Sequence, residues 1–241
     1  MLKGTPMQQE CRRIQHPPRK VAARSLALLA LIPAVFLLSL AARADDLKQV
    51  LERLDTAAKD FHTTSASVEF DTIQTDPIPD SDIMTGVAYY ERRGSSFEMA
   101  AHLHQHNGKP AEKAYIFSDS VLKESDTGKA GDAHTINQAS KYESYIMLGF
   151  GASGKQIAEK WDIKYLGSEK IDGITTDKLE LMAKDPTVRK NIPKVTIWMD
   201  TDRAVSLKQI FDEGEGQTRV CRYSDIKVNQ PLPAGAFGFD K

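Results

Sequence analysis

The spacing of apolar residues changes along the chain, and each change predicts a different element. In "DDLKQVLERLDTAAKDFH", Leu47, Val50, Leu51, Leu54, Ala58 and Phe61 recur at helical spacing with charges opposite, which predicts one amphipathic helix. Asp45 or Asp46 is placed to cap its start. From Thr64 the period becomes two: in "ASVEFDTI", Ala66, Val68 and Phe70 alternate with Ser67, Glu69 and Asp71. After the loop "DPIPDSD", the strands "IMTGVAYYERR", "SSFEMAAHLHQH" and "AEKAYIFS" follow, separated by "RG" and "NGKP", which read as hairpin turns. Strands this close in sequence pair antiparallel, because parallel pairing needs a crossover of about a dozen residues.

The middle of the chain breaks this rhythm. "ASKYESYIMLGFGASGKQIAEKW" carries Tyr142, Tyr145, Ile146 and Gly149 at helical spacing, then a glycine-rich break, then a second short helical piece. It reads as a helical insertion between two runs of strands. Strands resume with "WDIKYLG", "TDKLELM", "KVTIWMD", "AVSLKQIFDE" and "TRVCRYSDIKV", turning at Asp172, Thr201 and Gly214, and the chain closes on the proline-rich "NQPLPAGAFGFDK". The expected architecture is one α+β domain over residues 45–241. A strongly curled antiparallel sheet of about ten or eleven strands forms an incomplete β-barrel, and the N-terminal and mid-chain helices cover one face as a lid.

Residues 1–44 carry a different pattern. Arg12, Arg13, Arg19, Lys20 and Arg24 precede the uncharged run "SLALLALIPAVFLLSL", and "AARA" follows. This is the layout of a signal peptide with cleavage before Asp45, and so of export to the periplasm; an uncleaved anchor is the alternative. The whole chain has 32 basic and 33 acidic residues. The segment holds seven of the basic ones (Lys3, Arg12, Arg13, Arg19, Lys20, Arg24 and Arg43) and one acidic, Glu10. The remaining 197 residues therefore carry a net charge of −7, which gives no basic surface for nucleic acid. Cys11 leaves with the segment and Cys221 is then alone, so no intrachain disulfide is expected. In its strand-like setting Cys221 reads as a buried small hydrophobe.

Motifs for chemistry are weak. "GFGASGKQ" fits G-x-x-x-x-G-K but lacks the following Ser or Thr, and it sits in an antiparallel meander rather than between a parallel strand and a helix. A glycine hinge between two short helices is the better reading. There is no G-x-S-x-G elbow and no H-E-x-x-H. His102, His104 and His106 alternate in "HLHQHNG" and so share one face of a strand. A metal site built on them, as in a secreted metalloenzyme, is weighed against a polar convex surface, and the latter is preferred for want of further ligands. No catalytic residue, metal or cofactor is assigned. The opposite face of the same strand carries Phe97, Met99, Ala101 and Leu103; Tyr89 and Tyr90, Tyr115 and Phe117, and Ile197 or Trp198 with Phe211 supply similar side chains on other strands. These fill a core or line an apolar cavity.

The stretches "DLKQVLERL", "FHTTSASVEF", "GVAYYERRGSSFEM", "YIFSDS", "VTIWMDTDRAVSLKQIFDEGEGQTRVCRYSDIKVNQPLP" and the closing "FGF" resemble the LolA family of periplasmic lipoprotein carriers and the wider lipoprotein-sorting proteins. The resemblance implies a binding protein rather than an enzyme. It would shield lipoprotein acyl chains in an apolar cavity, take them from an inner-membrane release complex and pass them to an outer-membrane acceptor, acting as a monomer in transient contact with membrane proteins. It implies an arginine that latches the lid to the barrel: Arg93 by position, Arg92 second, with Gly94 where the family carries proline. It puts Phe97 and then Met99 in the cavity. With the residues from alternation, the expected lining is Tyr89, Phe97, Met99, Leu103, Tyr115, Phe117, Trp198 and Phe211. Members of this family that bind other lipids or glycolipids, and a related fold that serves in periplasmic sensing of envelope stress, leave the cargo open.

Overall fold

The structure, a computed structural model, describes residues 46–94, 96–137, 143–146 and 148–240, with backbone only at 143 and 144. The expected signal segment, its cleavage point before Asp45, Cys11 and Tyr142 lie outside the described residues. Helix α1 spans 46–57. Strands follow at β1 (Thr63–Gln74), β2 (Asp80–Arg93), β3 (Ser96–His106), β4 (Lys109–Ser118), β5 (Val121–Ser125) and β6 (His134–Ile136). Two short helices, α2 (Glu143–Ile146) and α3 (Gly154–Lys160), lead into β7 (Trp161–Ile171) and β8 (Ile174–Ala183). Helix α4 (Pro186–Asn191) precedes β9 (Lys194–Asp200), β10 (Val205–Gly214) and β11 (Gln217–Val228). The pattern-based reading did not assign β5, β6 and α4. Both strands are short and mostly polar, and α4 is one capped turn and a half, started by Asp185 and Pro186.

All eleven strands form one antiparallel sheet in the order β6-β5-β4-β3-β2-β1-β11-β10-β9-β8-β7. The chain therefore makes two meanders that meet at its first and last strands, with Phe70 opposite Cys221 and Val68 opposite Tyr223. The outer strands β6 and β7 each have one neighbour, so the sheet curls into an incomplete barrel. The insertion that carries α2 and α3 joins those two open edges in sequence.

The core lies on the concave face. Val50, Leu54, Ala58 and Phe61 from α1 and its exit are buried there, with Ala66, Val68, Ala88, Leu103, Leu179, Leu181, Val195 and Ile197 from the strands. Each such side chain contributes about 1.5–3 kcal/mol by leaving water. The predicted helical stripe is thus the face that α1 buries. At two places the backbone of a neighbouring element leaves no room for a side chain. A Cβ on Gly154 would lie 2.3 Å from the Leu51 carbonyl oxygen, where α3 crosses α1. A Cβ on Gly86 would lie 2.0 Å from the His102 carbonyl oxygen, beside the bulge where β2 and β3 lose register between Thr85 and Gly86.

That bulge changes the histidine face. Across β2 and β3, Gly86 pairs with Leu103 but Thr85 pairs with Gln105, leaving His104 as the extra residue. Beyond a bulge the alternation inverts. His102 stays convex, its Nε2 2.9 Å from the Ala236 carbonyl oxygen of the C-terminal segment. His106 instead pairs with Met84, on the concave side, and bonds Asp82. The expectation that all three histidines share the convex face is corrected for His106. Among the described residues no group of three potential ligands gathers for a metal.

Candidate functional site

The concave face holds a cavity of about 670 Å³. Phe70, Met84, Met99, Leu103, Phe211 and Cys221 line its sheet side, and Tyr145 and Ile146 of α2 with Ile192 after α4 line its roof. Strand register explains the lining. Phe70 on β1 stands opposite both Met84 on β2 and Cys221 on β11, and Cys221 stands opposite Gln209 on β10. Paired residues share a face, so one concave stripe runs across neighbouring strands.

Two lining tyrosines of the cavity are packed by a residue that the pattern did not single out. Phe150, in the glycine-rich break, stacks on Tyr90 with ring centroids 4.0 Å apart and an interplanar angle of 9°, and meets Tyr223 edge-on at 4.8 Å. Its backbone is locked to β10: Phe150 bridges Val205, Gly151 N–H donates to the Ala204 carbonyl (2.8 Å), and Ser206 N–H donates to the Gly149 carbonyl (2.7 Å). The stretch that half-matches a phosphate loop is therefore a lid strap. Ser153 and Gln156 form a capping box at the start of α3, and Asp55 of α1 accepts from Lys155 N–H at 2.9 Å.

Arginine positions the lid. Arg92 Nη1 donates to the Ala58 carbonyl at the exit of α1 (2.9 Å), and Nη2 donates to the Gly151 carbonyl of the strap. Arg92 reaches inward because it pairs with Phe97, two positions along β3 from cavity-lining Met99. Arg93, the first choice by position, points the other way and bridges Glu91 (2.8 Å) and Glu98 (3.0 Å). At the far side of α1, Arg53 Nη2 donates to buried Asp177 of β8 at 2.6 Å, and Tyr165 and Thr201 donate to the same carboxylate.

Of the expected lining, Met99, Leu103, Tyr115 and Phe211 border the cavity. Phe97 and Phe117 share its side of the sheet but stack on each other at 5.1 Å and fill the core beyond it. Tyr89 and Trp198 are corrected to the convex face. Tyr89 meets His102 edge-on at 6.0 Å. Trp198 lies between Lys178 and Lys208, whose Nζ atoms sit 4.6 and 4.7 Å from its rings, and donates through Nε1 to Glu169 at 2.8 Å. Its neighbour Ile197 is the inward residue, fully buried opposite Gln209 and Leu179. Cys221 is a free, buried thiol, pushed up to about 12 by burial. It is protonated and unreactive at neutral pH, as a small lining group should be. Burial likewise raises the Tyr90 and Tyr223 hydroxyls above the ordinary phenol range.

Among the described residues no helix is long and apolar enough to cross a membrane. No family model matches this chain, and no curated protein matches it. Solved structures do. The Pseudomonas aeruginosa MucA/MucB complex aligns over 79% of this chain and 60% of that one, at 14% identity and a TM-score of 0.48. A putative outer membrane lipoprotein-sorting protein domain from Vibrio parahaemolyticus aligns over 78% and 94%, at 14% identity and 0.44. A LolA superfamily protein, NE2245 from Nitrosomonas europaea, aligns over 79% and 96%, at 15% identity and 0.39.

Proposed function

We propose that this protein is an exported binding protein, with a binding rather than a catalytic role, that holds acyl chains in the concave cavity and carries lipoproteins through the periplasm toward the outer membrane. The observation that carries this reading is the cavity itself: about 670 Å³, within the roughly 300–1,000 Å³ typical of small-ligand sites, and walled over most of its surface by aliphatic and aromatic side chains. Each acyl methylene sheltered there gains about 0.8 kcal/mol. The lid is tied to the sheet at defined points. The strap bearing Phe150 is bonded to β10, and Arg92 joins strap and α1 to β2. Opening breaks these bonds, and a chain entering between Tyr90 and Tyr223 replaces the ring of Phe150 with similar apolar contact. An inner-membrane release complex and an outer-membrane acceptor are the partners this reading calls for.

The test is direct. Purified protein should shield a fluorescent acyl probe from water and release lipoprotein from spheroplasts. A protein that binds the probe but releases no lipoprotein, and co-purifies with a free phospholipid or glycolipid by mass spectrometry, is a carrier or sensor of another lipid. Failure to bind the probe removes the acyl reading.

A further inference from the structure

The cavity has a polar end, and its charges are unequal. Thr72, Asp82, Glu213 and Arg219 line it from β1, β2, β10 and β11, and Glu124 faces it from β5. Register brings the first group together: Thr72 stands opposite Asp82 and Arg219, and Arg219 opposite Phe211. The lining thus holds three carboxylates and one guanidinium, and that guanidinium is engaged, with Arg219 Nη2 2.8 Å from Glu213 Oε1. The next cation outward, Lys113, holds Glu124 and Asp126. Asp82 holds His106. Two of the carboxylates are well covered, Glu213 at 15% and Glu124 at 18% side-chain exposure, so their fields are poorly screened by solvent. Among the described residues no group bonds the second oxygen of Glu213.

Resting on the acyl-binding reading, we propose that the cavity selects amphiphiles whose polar end donates hydrogen bonds and bears no negative charge, an amine or a hydroxyl-rich group, and rejects anionic ones. A donor finds carboxylate acceptors at Glu213, Glu124 and Asp82, and hydrogen bonds to charged acceptors are the strong ones. A phosphate or carboxylate head meets three lining carboxylates and, among the described residues, no lining cation without a partner. Like-charge juxtaposition of this kind is how sites reject wrong ligands. The apolar end then holds the chain and the polar end sets which molecules keep it.

Displacement of a bound fluorescent acyl probe by dodecylamine, dodecyl maltoside and dodecyl phosphate, all below micelle formation, tests this on the full chain. Dodecylamine, dodecyl maltoside or both should displace the probe at concentrations at least about tenfold lower than dodecyl phosphate. Which of the two wins identifies the donor as amine or hydroxyl. The double variant Glu124→Gln/Glu213→Gln should narrow that gap by binding dodecyl phosphate better. The single variant Glu213→Gln should narrow it in the same direction by a smaller factor, which keeps the test valid if the double variant folds poorly. Equal displacement by all three, or tightest binding of dodecyl phosphate, overturns the inference while leaving the acyl site standing. Displacement by none of them, with no probe bound, removes the acyl site itself.

Discussion

Arg92 and Phe150 act on the same strap from two directions: the arginine holds its backbone at the Gly151 carbonyl, and the phenylalanine holds its side chain against Tyr90. Tyr90 and Arg92 are alternate residues of β2 and share its concave face. One strand therefore carries two of the contacts that hold the strap, and a shift of that strand loosens both.

Arg92→Leu is expected to free the lid while Arg93→Leu leaves it closed. The first change strips two carbonyls, Ala58 and Gly151, of a charged donor and costs about 1–3 kcal/mol. The second removes an exposed pair of ion bridges worth little. The rate at which a bulky maleimide labels Cys221, measured in a Cys11→Ser background, reports the difference. It should rise several-fold for Arg92→Leu only. Equal rates in the two variants would show that Arg92 does not latch the lid.

Phe150→Ala removes the packing ring. The ring is buried between two tyrosines, so its loss costs about 3–5 kcal/mol of stability. The vacated space joins the cavity, and an acyl probe should associate faster in stopped-flow fluorescence. A variant that loses the stability without any gain in association rate would place Phe150 in the core and outside the entry path.

Alternation alone made much of this legible, up to the points where the backbone departs from it. Met99 and Leu103 fall on the cavity side because β3 is regular through Leu103; His106 does not follow its neighbours because the bulge at His104 inverts the face. The choice between Ile197 and Trp198 turned on the same parity, and Trp198 reached a buried position on the convex side through two lysines and a glutamate that no periodicity foretells. Arg92 and Arg93 are adjacent, so only the pairing of β2 with β3 decides which faces inward. Phe150 was hidden for another reason. Its place is fixed by a loop bonding to β10, some fifty residues on, and a glycine-rich stretch carries no period to read.

Phe97→Glu and Met99→Glu should separate core from cavity. Phe97 stacks on Phe117 away from the cavity, so a charge there unfolds the β3–β4 region, and the loss appears as a large drop in the midpoint of urea unfolding. Met99 borders the cavity, and a carboxylate at that position meets the entering chain and weakens binding, since a charge in a dry site is costly. Probe binding should fall at least about tenfold for Met99→Glu, with a smaller change in unfolding midpoint than for Phe97→Glu. Binding untouched in Met99→Glu would take β3 out of the site.

The buried thiol gives a pH signature with a definite sign. Burial pushes the Cys221 thiol up to about 12 in the folded protein, whereas an exposed thiol in the unfolded chain ionises near pH 8.5, roughly the ordinary value. Between these limits the unfolded chain releases a proton that the folded protein retains, so stability is fully present below the unfolded value and falls as pH rises toward the folded one. The slope contributed by one group is at most about 1.4 kcal/mol per pH unit. Tyr90 and Tyr223, also raised by burial, add to it above the ordinary phenol range. Urea unfolding at a series of alkaline pH values should show this decline, and Cys221→Ala should flatten it by close to one proton before the tyrosines begin to titrate. A Cys221→Ala profile parallel to that of the unaltered protein would mean that the thiol meets solvent in the folded state, and that the cavity admits water where Phe70 and Gln209 flank it.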